Sequence, residues 1–233
     1  MAEKLAVHRK VVKRPAAENG KSRAPLNRDR VLRAAIAIAD EEGIEGLSMR
    51  RLAQELGVEA MSLYYYFRSK DKLLGEMLDV VFSEFERPAT DGDWRDAMRS
   101  SASSAHHELL RHPWACGLLM NPTEPSRHRF EWMNSILGLL RGAGFSTELT
   151  HHAYHALDSH IIGFTLWVLP YIRIAREQPD FASQALAELP VSDLPHLAEH
   201  IDYHMADDQP GDTSEFDFGL NLLLDSLERM RTG

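Results

Sequence analysis

Along most of the chain apolar residues recur at spacings of three and four, and no long stretch alternates with a period of two. The pattern predicts helix after helix, with breaks marked by Gly, Pro and Ser and no βαβ unit. Asn27 is placed to cap a helix to Glu42, with Val31, Ala34, Ala35 and Ile38 on one face and Gly43 as its stop. Ser48 precedes a short helical run ending at Leu56, and Gly57 follows it. A second short helix is predicted over Glu59–Tyr66, and Ser69 caps a longer one from Lys70 to about Phe85. Asp93 opens a helix that ends near His112–Pro113, and the next lies between Pro125 and Gly142. Ser146 or Thr147 caps a long helix toward Pro179, expected to bend or break at Pro170. Residues 180–212 are rich in Pro and Asp and read as irregular with short helical pieces, and a last helix covers Glu215–Arg231.

Two short helices across a tight Gly-containing turn, at about residues 48–67, form a helix-turn-helix signature. Leu52, Ala53 and Leu56 give the first helix an apolar face, and the small Ala53 lets the second cross closely. Val58, Leu63 and Phe67 give the second an inward face, which leaves Ala60, Met61, Ser62, Tyr64, Tyr65 and Tyr66 pointing mostly outward. Three successive tyrosines are poorly explained as core, because each hydroxyl needs a partner. Hydroxyls can donate to phosphates, and methyl or thioether groups can touch a thymine methyl. Arg68 and Lys70 are placed for phosphates, and Arg50 for the backbone or a guanine edge.

The charge distribution agrees. The net charge is −9, yet residues 1–72 hold 15 Lys and Arg against 10 Asp and Glu, while the remainder holds 11 against 25. A basic first third on an acidic body points to an anionic partner for the first part only. Residues 1–24 read as a disordered tail, which either trails along phosphates or serves only solubility. One cysteine, Cys116, no secretory h-region and no spanning apolar stretch together suggest a cytoplasmic protein.

The segment LNRDRVLRAAIAIADEEGIEGLSMRRLAQELGVEAMSLYYYFRSKDKLLGEML, Leu26 to Leu78, resembles the DNA-binding domain of the tetracycline-repressor (TetR) family. The resemblance implies that Arg50 contacts a base or phosphate and that Ala60, Met61 and Ser62 form the exposed start of the recognition helix. It implies phosphate contacts for Tyr64, Tyr66 and Lys70 and a base-facing position for Tyr65. The tetracycline repressor itself has glutamine and proline where this chain has Ala60 and Met61, so the base code differs. LLRHPWACGLL (Leu109–Leu119) and GLLRGAGFS (Gly138–Ser146) resemble, more weakly, segments of the family's ligand-binding domains. The implied architecture is all-α: a DNA-binding domain over residues 25–72, and a ligand-binding and dimerisation domain over 73–233. The implied function is a repressor released from a palindromic operator by a small apolar or amphipathic effector, with no required cofactor and no membrane partner.

The family's dimer interface would fall on residues 147–177 and 214–231. Independently, Phe216, Leu220, Leu223, Leu224 and Leu227 form an apolar face too broad for a lone surface helix. It is assigned to a two-fold partner, packing within its own chain being the alternative. Candidate lining for an effector pocket comprises Trp114, Met120, Phe130, Met133, Phe164 and Trp167, with His106, His107, Asn134 and Asp158 as polar contacts. The histidine repeats at 151/155 and 196/200/204 have the four-residue spacing a metal needs, and Glu199 and Asp202 are near, but the strong metal signatures carry extra Glu or Cys at set offsets and that region is Pro- and Asp-rich, so the histidines are read as helix-face residues rather than ligands. No G-x-S-x-G or H-E-x-x-H pattern occurs, so no catalytic residue is assigned.

Overall fold

The computed structural model describes residues 25–120, 124–178, 180, 181, 184, 193–205 and 214–233, without the side chains of 202, 204 and 205. The expectations for the 1–24 tail, for most of 180–212 and for His204 lie outside the described residues. Among the described residues there are ten helices and no strand. They are α1 (Arg28–Gly46), α2 (Met49–Leu56), α3 (Ala60–Tyr64), α4 (Lys70–Ser83), α5 (Trp94–Arg111), α6 (Pro113–Met120), α7 (Arg127–Gly142), α8 (Thr147–Glu177), α9 (Pro195–Met205) and α10 (Glu215–Thr232).

The caps are those the polar punctuation specifies. The side chains of Asn27, Ser48, Ser69, Asp93, Ser146 and Ser214 each accept from a backbone N–H in the first turn of the helix that follows. Gly57, at φ 66° and ψ 41°, takes the left-handed conformation that turns the chain from α2 into α3. Gly43 interrupts α1 at φ 77°, but helical backbone resumes and runs to Gly46. The second short helix is shorter than its apolar pattern suggests, ending at Tyr64 instead of Tyr66. Conversely, α8 continues through Pro170. The proline lacks the N–H that would reach the Leu166 carbonyl, but both residues lie on the exposed part of the helix, where water can serve that carbonyl.

The N-terminal core gathers Val31, Ala35 and Ile38 from α1, Leu52 and Leu56 from α2, Leu63, Phe67, and Leu73 and Met77 from α4. Leu63 and Phe67 are fully buried, each worth about 2 kcal/mol or more, and they orient the short α3. Two long-range ties fix this unit. The Arg28 guanidinium pairs with Glu76 on α4, donates to the Tyr66 carbonyl at 2.6 Å and lies 4.4 Å from the centre of the Phe67 ring. Asp40 on α1 accepts from His112 Nδ1 at 2.8 Å and from Trp114 Nε1 at 2.7 Å, joining α1 to the start of α6.

In the C-terminal body α5, α7 and α10 pack on α8. Phe216, Leu220, Leu224 and Leu227 of α10 are buried within this chain, and Leu223 is half-buried. This corrects the assignment of that face to a partner subunit. Trp94 Nε1 and Arg99 fasten the same helix by donating to Glu228 and Asn221 on α10, each at 3.1 Å. The apolar side chains that α10 leaves exposed are Phe218, Leu222 and Met230, and α8 exposes Leu166, Trp167, Tyr171 and Ile172.

Candidate nucleic-acid interface and effector cleft

Helix α3 and the turn that follows it separate their side chains sharply. Leu63 is at 0% exposure, while Met61 is at 74% and Tyr65 at 87%. Ser62 and Tyr64 are also exposed and Ala60 is half-buried. Arg50 at the start of α2 and Lys70 at the start of α4 are exposed on either side of α3 in sequence. Tyr66 departs from the expectation. It is half-buried, its ring meets Tyr65 edge-on at 5.2 Å, and its hydroxyl donates to the Leu26 carbonyl at 2.7 Å. The tyrosine read as a phosphate contact therefore ties the entry of α1 to the end of the recognition unit. Successive residues of a helical turn point about 100° apart, so three adjacent tyrosines cannot share one face. Arg51, which stands where a capping box would place an acid, instead spans Glu42 on α1 (2.7 Å) and Glu55 on α2 (2.9 Å).

The pocket candidates divide between two places. Phe130 and Met133 of α7 and Asp158 of α8 line one cleft of about 470 Å³ beside Leu78 of α4, together with Arg129 and Tyr154, which the sequence reading did not single out. Phe130 and Asn134 also border a shallower neighbouring groove. In the cleft the Asp158 carboxylate makes no hydrogen bond or ion pair with any described residue, and burial raises its pKa despite nearby Arg129. The Tyr154 hydroxyl has no described partner either, although the residue is only 5% exposed; burial pushes its pKa up to about 12, so it remains a donor. The guanidinium of Arg129 lies 5.8 Å from the centre of the Phe82 ring and pairs with no described carboxylate.

His106, Phe164 and Trp167 belong elsewhere, among α5, α8 and α10. The His106 ring stacks on Phe216 with centroids 4.1 Å apart and planes 6° from parallel. Its Nδ1 is 2.7 Å from Thr165 Oγ1, which itself donates to the Ile161 carbonyl, so the histidine carries its proton on Nδ1. Burial, with His107 and His160 adjacent, lowers the His106 pKa to about 4 and keeps the ring neutral. His160 stacks on the other residue of this pair, Phe216, at 4.9 Å and its Nε2 donates to the Phe216 carbonyl at 3.0 Å; the absence of a side chain at Gly219 leaves room for that ring. His106 and Phe164 are thus packing residues, Trp167 is exposed, and His107 is exposed beside His106. Trp114 is buried against α1 and its indole serves Asp40, while Met120 is exposed at the end of α6; neither lines the cleft.

Of the histidine repeats, His151 and His155 pack ring to ring at 4.6 Å on the exposed side of α8. A different trio, Glu84, Glu108 and His112, brings three donor atoms within 4.8 Å of one another. Arg111 already neutralises its carboxylates, at 2.6 Å from Glu108 and 3.7 Å from Glu84.

Comparison with known proteins fits this geometry. Residues 31–77 match the model of the bacterial regulatory proteins of the tetR family, and residues 87–231 match the tetracyclin repressor-like C-terminal domain. The chain is 36% identical over 219 residues, 89% of its own length and 80% of the relative's, to the HTH-type transcriptional repressor DrrR1 of Streptomyces coeruleorubidus. Its structure superposes with TM-score 0.71 on ActR of Streptomyces coelicolor in complex with actinorhodin, at 28% identity, covering 90% of this chain and 100% of that one. It superposes with TM-score 0.62 on BioQ with its double-stranded DNA operator, at 26% identity, covering 88% and 99%. The chain belongs to the TetR family of DNA-binding transcriptional regulators.

Proposed function

We propose that this chain is a homodimeric repressor that lays α3 in the major groove of a palindromic operator and lets go when a small molecule occupies the C-terminal body. The observation that carries the reading is the division of α3: Leu63 and Phe67 lock it to the core while Met61, Ser62 and Tyr65 face solvent beside a basic surface. Met61 and Tyr65 read bases; Ala60 and Ser62 allow close approach; Arg50, Tyr64 and Lys70 hold the phosphates. Tyr66 supports them indirectly through Leu26. Residues 25–72 form the reading unit and 73–233 the effector and pairing unit. The exposed apolar residues Trp167 and Tyr171 of α8 and Phe218 and Leu222 of α10 supply the two-fold contact.

Effector and operator are coupled through whatever each state holds differently, and a hundredfold loss of operator affinity requires about 2.7 kcal/mol of such coupling. The Asp40 carboxylate, bonded to both His112 and Trp114, is a mechanical link by which a movement of α6 reaches α1. The experiment is duplex binding measured against salt for variants of the reading surface. Tyr65→Ala and Met61→Ala should relax sequence preference, costing about 1–3 kcal/mol on the preferred site alone. Lys70→Ala should weaken every sequence alike and reduce the salt slope by about 1. Equal losses at every sequence for all three would remove the reading.

A further inference from the structure

Of the polar side chains that line one cleft, Glu124 pairs with Lys72, Ser126 donates to Asp79 and His155 packs against the rings of His151 and Tyr154, whereas Arg129, Tyr154 and Asp158 make no hydrogen bond or ion pair with a described residue, although Arg129 lies near enough to Asp158 to act on its charge. Arg129 and Tyr154 offer donors, and Asp158 offers an acceptor. Tyr154 and Asp158 are one turn apart on α8, and Arg129 and Met133 are one turn apart on α7, so each helix presents its pair along the same face. The apolar side chains of Leu78, Phe130 and Met133 line the same cleft. The fold elsewhere pairs such groups closely, as at Asp79, whose carboxylate takes up Ser126 Oγ at 2.6 Å and His128 Nδ1 at 2.7 Å. Unpaired polar groups inside a protein are costly unless water or a ligand answers them.

From this juxtaposition we propose that the cleft between α7 and α8 recognises an aromatic ring system that carries an alkylamine, protonated at neutral pH, and a carbonyl or phenol oxygen, the ammonium bound by Asp158 and the oxygen by Arg129 and Tyr154. This rests on the C-terminal helices being the effector unit, and it adds the chemistry that the effector must have. A volume of about 470 Å³ holds a body of a few fused rings. Leu78, Phe130 and Met133 take the apolar body, and Met133 adapts to its outline. A ligand with a carboxylate in place of the ammonium is disfavoured because that group would face Asp158 while the ring oxygen already occupies Arg129 and Tyr154. A purely apolar one is disfavoured because it would leave three polar groups unanswered.

The test uses the full-length protein and three fluorescent coumarins identical except for an aminomethyl, hydroxymethyl or carboxymethyl substituent. Their ring carbonyl supplies the acceptor, and binding is followed by fluorescence polarisation. The aminomethyl compound is expected to bind about tenfold or more tightly than the hydroxymethyl one, with the carboxymethyl compound weakest. Asp158→Asn should bring the first two within about twofold of each other, and Arg129→Gln should weaken all three. Circular dichroism and operator binding of the ligand-free variants should match the parent, which separates recognition from folding. Equal affinity for the three compounds, binding of none of them, or an amine preference that survives Asp158→Asn would each overturn the proposal. Operator affinity is measured on the same samples. An Asp158-dependent amine preference without operator release would uphold the recognition chemistry while removing the repressor-release reading, so the two fail separately.

Discussion

Two polar clusters in the C-terminal body are built from the same kinds of helix and differ in how their polar atoms end up. Around Phe216, His106 and His160 are stacked on the ring, and their nitrogens are spoken for by Thr165 and by the Phe216 carbonyl. Around the cleft, the side chains of Arg129, Tyr154 and Asp158 make no hydrogen bond or ion pair with one another or with another described residue. The first arrangement fixes α10 against α5 and α8; in the second the Tyr154 ring packs in the core, but its hydroxyl and the two charged groups are left for a ligand to satisfy. A histidine in a helical core is therefore better evidence of packing, and an unpaired carboxylate beside an unpaired guanidinium is better evidence of a site.

The largest expected effect breaks the stacked cluster. His106→Ala removes the ring from Phe216 and strips the hydrogen bond from buried Thr165, and should cost about 2–4 kcal/mol in urea unfolding. A second effect follows from pH. The folded-state pKa of His106 is depressed to about 4 from the ordinary 6.5, so the unfolded chain binds a proton that the folded chain refuses. Stability from this residue is fully present above about pH 6.5 and declines toward pH 4, by up to ~1.4 kcal/mol per unit. Asp158 works in the opposite sense: its folded pKa is raised, so acidification relieves a destabilisation present at neutral pH. Unfolding curves collected from pH 7 to 4 should flatten for His106→Ala and steepen for Asp158→Asn.

Smaller effects sharpen the contrast. Asp158→Leu should leave stability unchanged or raise it by about 1 kcal/mol, since it removes an unpaired, half-buried carboxylate. The same change should abolish discrimination between charged and neutral ligands. Met61→Ala lies at the other end of the scale. Its side chain is 74% exposed, and the unfolding midpoint should move by less than about 0.5 kcal/mol in equivalent free energy, with the effect confined to operator preference.

What the sequence made legible was local. Ser48, Gly57 and Ser69 mark helix ends within a few residues, and Leu52, Leu63 and Phe67 mark buried faces by spacing alone. Contacts that span tens of residues left no such trace. Nothing near Arg28 announces Glu76, and nothing near Asp40 announces Trp114. Periodicity identified the apolar face of α10 but could not say whether it meets its own chain or another, because both burials require the same pattern. It also could not distinguish His106, stacked and satisfied, from Asp158, unpaired in a cleft; that difference lies in what α5, α7, α8 and α10 bring alongside. The misassigned direction of Tyr66 was legible in principle, since adjacent helical residues diverge.

The central claim is that α3 reads sequence as one half of a two-fold protein. Selection of binding sites by the purified full-length chain from a pool of random duplexes tests it most directly. The expected result is enrichment of an inverted repeat whose half-sites are separated by a constant spacing, with bases within each half-site losing definition in Tyr65→Ala. Recovery of sequences with no shared motif, or of a single unrepeated site read equally well by Tyr65→Ala, would contradict it.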